Sequence, residues 1–134
     1  MTSIESEKVE INHPTEKVFN WLSNFNNYQK LMPAQVSGFA STENDCSFTI
    51  SGMATIGMKI LDKTPNSHIR IGSNGKVPFD FILHVRLNSV SADKTTSRLV
   101  FEAELNPMLK MMLEKPLTNF FNLLAEKMKD ASYS

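Results

Sequence analysis

His84 stands two residues before Arg86 and four after Asp80 in the run DFILHVR. An imidazole between a guanidinium and a carboxylate is an arrangement suited to general acid and base catalysis. Tyr28 is a second group able to supply a proton, and Cys46 is a nucleophile if a histidine lies within reach. The chemistry these types point to is proton transfer on a small substrate, and alternation weighs against it. From Phe79 to Asn88 one parity holds Phe79, Phe81, Leu83, Val85 and Leu87, the other Asp80, Ile82, His84, Arg86 and Asn88. His84 therefore belongs to the wet face of a strand, unless one extra residue near Pro78 reverses the parity and turns it inward with Arg86. Cys46 alternates with Phe48 and Ile50 and reads as a small buried residue. His13, His68 and His84 are far apart and lack Cys or carboxylate partners at ligand spacing, so neither a metal nor a cofactor is expected. No helix start follows Gly72 to Gly75, which excludes a phosphate-cradling loop of that type.

The elements that position these residues follow from periodicity. Val9 and Ile11 alternate with polar neighbours as a first strand, which stops at His13-Pro14. Pro14 and Glu16 suit a helix start, and Val18, Leu22 and Phe25 share one side of a short helix, widened by Phe19 and Trp21. Tyr28, Leu31 and Met32 form a second short helix or turn before Pro33. From Gln35 to Asn106 the period becomes two, with turns at Pro65-Asn66, Asn74-Gly75 and Ala92-Asp93-Lys94, and Asn74-Gly75 predicts a tight hairpin. Asp80, Arg86, Arg70, Lys59, Glu102 and Glu104 fall where cross-strand charge pairs on a solvated face are expected. Asn106-Pro107 then starts a helix reaching about Ala131, with Leu113, Leu117, Phe120, Leu124 and Met128 on its apolar side. Pro116 lies inside it and predicts a kink or short break near Met112.

The chain of 134 residues reads as one domain, 1–134, of the α+β class. Fourteen basic and fourteen acidic residues leave no global field for nucleic acid or an anionic surface. The single cysteine and the start MTSIESEKVEI, which lacks a basic region and an apolar run, predict a reducing, cytoplasmic location. No apolar run approaches the roughly 18 to 20 residues that span a bilayer, so no integral membrane contact is expected.

The opening VEINHPTEKVFNWLSNFNNYQKLMP, the strand series and the closing LNPMLKMMLEKPLTNFFNLLAEKMK together resemble the START-like or SRPBCC superfamily, which includes polyketide cyclases, birch pollen allergen relatives and lipid-transfer domains. The resemblance implies a helix-grip fold in which a curved antiparallel sheet of about six or seven strands wraps a long C-terminal helix, with two short helices after the first strand. It also implies a cavity between sheet and helix. Parity predicts that the sheet offers Phe48, Ile50, Met58, Ile60, Ile69, Ile71, Phe79, Phe81, Leu83, Phe101 and Leu105 to that cavity. The helix would add Met108, Met112, Pro116 and Phe120, and Tyr28, Leu31 and Met32 would lid one end. None of the sheet residues moves a proton, and the seven methionines beyond Met1 are adaptable walls. The expected function is non-catalytic binding or transport of a small apolar or amphipathic molecule. A cyclase or aromatase-like enzyme using Tyr28 or an inward His84 is the alternative. A third is a co-chaperone-like interaction domain, since the same apolar residues can simply fill a core.

Overall fold

In a computed structural model describing residues 1–75 and 77–133, the chain folds as β1 (Thr2–Glu5), β2 (Val9–Ile11), α1 (Thr15–Leu22), a 3-10 helix (Phe25–Leu31), six strands and a long helix. The strands are β3 (Val36–Ser41), β4 (Asp45–Ile50), β5 (Ala54–Thr64), β6 (His68–Ser73), β7 (Phe81–Ser91) and β8 (Lys94–Ala103), followed by α2 (Pro107–Asp130). One antiparallel sheet runs in the order β1, β8, β7, β6, β5, β4, β3, with β2 also paired to β8. The first edge is thus split between two short segments, one more strand than the sequence pattern suggests. Ser6 bridges the split, its N–H donating to the Leu99 carbonyl and its Oγ accepting from the Leu99 N–H, each at 2.9 Å.

The early helices are docked by polar contacts at their ends and apolar faces between. Thr95 Oγ1 donates to the His13 carbonyl at 2.9 Å and pairs with Thr15 Oγ1 at 2.9 Å, which fixes the start of α1 on β8. Val18, Leu22, Phe25 and Leu31 are almost completely buried. At the other end of the chain, Tyr133 packs edge-on against Trp21 and its hydroxyl donates to the Met128 carbonyl, closing the C-terminus onto α1.

Two local expectations change. Ser73 and Phe81 are not joined by a two-residue turn at Asn74-Gly75; Asn74 instead extends the β5–β6 pairing, its N–H donating to the Gly57 carbonyl at 2.9 Å. A Cβ on Gly57 would come within 2.2 Å of the Asn74 carbonyl oxygen, so only glycine admits this approach. Ser73 Oγ accepts from Phe81 N–H at 3.3 Å and donates to Asp80 at 3.3 Å, closing the connection. Phe79 therefore lies outside β7, yet it remains buried against Phe81 and Phe101.

α2 begins as its sequence dictates, with Asn106 Oδ1 accepting from Leu109 N–H at 2.9 Å and proline at the first turn. Its buried side is Leu117, Phe120, Phe121, Leu124, Ala125 and Met128, the i, i+3, i+4, i+7 series of a docked helix. The helix runs through Pro116 without the predicted break. Pro116 and Met112 are both exposed, so water can serve the carbonyl that the proline leaves without a donor. Glu7 N–H donates to Asn122 Oδ1 at 2.8 Å, tying α2 to the split edge of the sheet.

Candidate functional site

Between the inner face of the sheet and α2 lies a small void whose wall is entirely apolar side chains. Phe48 and Ile50 come from β4, Ile56 and Met58 from β5, Leu83 and Phe81 from β7, Phe101 from β8 and Leu117, Phe120, Phe121 and Leu124 from α2, with Met32 and Phe79 supplied by loops. The free space measures about 20 Å³ for the centres of water-sized molecules, room for about one water. Aromatic contacts organise the wall. Phe120 stacks on Phe48 at 6.0 Å between centroids, while Phe101 lies 5.3 Å from Phe81 and 5.2 Å from Phe121.

A second, open groove of about 450 Å³ adjoins it, formed by Gln35, the β4–β5 turn at Ser51, Gly52 and Met53, and Met112, Leu113, Pro116 and Asn119 of α2. Ile50 and Phe120 line both spaces. Those two side chains therefore stand as the partition between groove and void.

Of the residues expected to face the cavity, the structure gathers Met32, Phe48, Ile50, Met58, Phe79, Phe81, Leu83, Phe101 and Phe120 around the void. Met112 and Pro116 line the outer groove instead, and Met108 faces solvent at 70% exposure. The reason is that the first turns of α2 are poorly covered, with Leu109 and Leu113 only half-buried and full burial starting at Leu117, which leaves Met108, Met111 and Met112 exposed. Ile60 keeps the register of Met58, opposite Ile71, but is only half-buried at the end of that regular run and does not line the void. Ile71 and Leu105 pack into the core away from the void, as does Ile69. Tyr28 is no lid either. Its hydroxyl donates to the Leu22 carbonyl at 2.8 Å, its ring packs on Phe25, and burial, aided by Cys46 and Tyr133, holds its ionisation well above the usual phenol range. Ile56, Leu117, Phe121 and Leu124 complete the wall. Ile56 shares parity with Met58, and Leu117 and Leu124 belong to the apolar helix stripe, so all three were within reach of pattern reading.

The groups with chemical potential lie elsewhere. Cys46 is buried, and burial, with Asp45 adding to it, pushes its thiol up to about 12. His84 is on the outer face, as parity predicts, but it is not idle. Its Nε2 lies 2.9 Å from Glu102 Oε1 and its Nδ1 lies 2.8 Å from His68 Nε2, a polar chain across β6, β7 and β8. An ionised carboxylate only accepts, so Nε2 of neutral His84 carries the proton, Nδ1 is bare, and His68 Nε2–H donates to it. The Arg70–Asp62 pair at 2.8 Å and the Lys94–Glu10 pair at 3.3 Å are further outer-face charge contacts.

The architecture is a helix-grip fold, a curved antiparallel sheet against a long C-terminal helix, and solved structures share it. Protein CV1439 from Chromobacterium violaceum superposes with a TM-score of 0.74 at 13% identity, over 100% of this chain and 99% of that one. A START superfamily protein from Mycobacterium smegmatis gives 0.68 at 14% identity, over 97% and 99%. BexL, a di-domain ARO/CYC protein of the BE-7585A biosynthetic pathway, gives 0.76 at 14% identity; 97% of this chain matches 46% of BexL, about one of its two domains. No protein-family model matches the chain. No curated protein matches it either. At these identities the likeness is one of fold. No helix among the described residues is long and apolar enough to cross a membrane.

Proposed function

We propose that this domain binds a small apolar or amphipathic molecule without transforming it. The observation that carries the reading is the shared partition: an all-apolar void and an open groove of ligand size meet at Ile50 and Phe120. A ligand seated in the groove, with its polar end toward Gln35, Ser51 and Asn119, reaches the void by displacing Phe120 and the flexible Met32 and Met58 side chains. The wall itself offers no group that donates or accepts a proton, and His84 projects from the opposite face of the sheet, which favours capture over a cyclase-like reaction. The likeness to a START superfamily protein supports a binding role at the level of fold.

The one-water size of the void supports a second reading, in which the core stays closed and the domain acts through protein contacts. Native mass spectrometry of protein purified from its own cells, with thermal shifts against fatty acids, quinones and flavonoid-like compounds, separates the two. A retained small molecule, or a rise in melting temperature that saturates with ligand, is the expected result. Ligand-free protein in every preparation, with no stabilisation by any compound, would leave the closed reading standing.

A further inference from the structure

The outer face of the sheet carries an arrangement that ligand capture beneath α2 does not use. In the register of β6, β7 and β8, His68 lies directly opposite Arg86, and Arg86 directly opposite Arg98. Three basic side chains therefore share one row on adjacent strands, about 4.8 Å from strand to strand. Like charges set opposite each other work against sheet pairing, so the row is not explained by stability.

The acids nearby are committed to other partners or stand off. Asp62 takes Arg70, through both Nε and Nη2 at 2.8 Å, and Glu102 takes His84. Glu5 approaches Arg98 only at 3.8 Å, through Nη1, while Arg98 Nε is buried with no hydrogen-bond partner. No acid lies within 4.0 Å of Arg86 among the described residues. His68 sits at the end of the row, and its ring is tied through His84 to Glu102.

We propose that His68, Arg86 and Arg98 form a binding site for a phosphate-type oxyanion. Three donors on three strands can each meet one oxygen of a tetrahedral anion, whereas a carboxylate has only two oxygens to offer. The site is also linked to protons. Burial holds the ionisation of His68 below its ordinary range, followed by the charge of Arg86, the neighbouring His84 and Arg70, against an opposing pull from Asp62. A bound anion offsets the cations that keep the ring neutral. His68 then takes a proton on Nδ1 and donates it to the anion, while its Nε2–H still donates to His84 Nδ1 and His84 Nε2–H to Glu102, so the polar chain stays intact. The proposal stands independently of what occupies the void.

Sulfate is the suitable probe because its charge stays constant across the range of interest. With the histidine ring signals followed by NMR, sulfate should shift His68 and His84 along a saturating curve, with affinity about tenfold higher near pH 5.5 than near pH 7.5. Arg86→Gln should weaken binding at least tenfold without lowering the melting temperature, since it also removes the repulsion with Arg98. Lys129→Gln, on an exposed turn of α2, should leave affinity unchanged. Inorganic phosphate and vesicles of phosphatidylcholine with or without phosphatidic acid distinguish the source of the anion. Saturable binding of free phosphate without pelleting on vesicles assigns a soluble ligand, and pelleting that needs both phosphatidic acid and Arg86 assigns a lipid headgroup. Shifts that never saturate, or that respond equally to both variants, reduce the row to ordinary salt screening and overturn the proposal.

Discussion

Replacing Phe120 by alanine is the sharpest probe of the region where void and groove meet. The ring is 3% exposed, stacked on Phe48 and edge-on to Phe121 at 5.4 Å. Truncation removes a buried aromatic side chain and leaves a space that existing neighbours on a sheet and a helix cannot collapse to fill. The cost should be about 3 to 5 kcal/mol, a large share of the 5 to 15 kcal/mol typical of a domain. For a chain of this length that is a fall in melting temperature of roughly 10 to 20 °C. Urea and thermal unfolding measured together give the quantity directly, and Leu123→Ala is the control because Leu123 is 43% exposed on the same helix. It should cost under about 1 kcal/mol. The truncated protein also joins the void to the groove, so benzene should recover part of the lost stability, as a ligand bound only by the folded state does. A loss for Phe120→Ala well under about 1 kcal/mol, or one equal to that of Leu123→Ala, would refute the placement of this ring between helix and sheet.

Two further outcomes follow from the titrating groups. Cys46, with its thiol pushed up to about 12, should resist alkylation near pH 8 in the folded protein and react at an ordinary rate in urea; equal rates would mean that the thiol is not buried. His68 binds its proton less readily folded than unfolded, so the unfolded chain takes up more protons and stability should fall as pH drops below about 6.5 toward the lowered folded value. Urea midpoints should therefore decline over that window, and His68→Asn should flatten the decline; an unchanged slope would assign it to other groups.

Most of the void was legible because a strand's period of two fixes which side chains share a face. Phe48, Ile50, Met58, Leu83 and Phe101 needed nothing more. What parity cannot register is where a strand stops being regular or how far along a sheet a helix is docked. Ile60 keeps its parity but sits at the end of the regular run, only half-buried, and Met108 and Met112 lie on the poorly covered first turns of α2. Phe79 reached the wall from the connection before β7, since Asn74 prolongs the pairing with β5 and the tight turn expected at Asn74-Gly75 does not join β6 to β7. The polar chain of His68, His84 and Glu102 was also beyond sequence reading. Its members sit 16 and 18 residues apart and meet only through the pairing of three strands.

The docking of α2 has a consequence for how the molecule opens. Full burial of the helix begins at Leu117, one residue past Pro116, so the ladder is interrupted almost where the anchoring starts. Before that point the helix holds itself together largely by its own hydrogen bonds, and after it by the aromatic floor as well. Amide exchange along α2 should therefore be stepped, with Met111 to Lys115 exchanging through local fraying and Phe120 to Met128 only when the domain unfolds. The groove's helical wall is thus its least cooperative part, and it can yield while the sheet beneath stays folded.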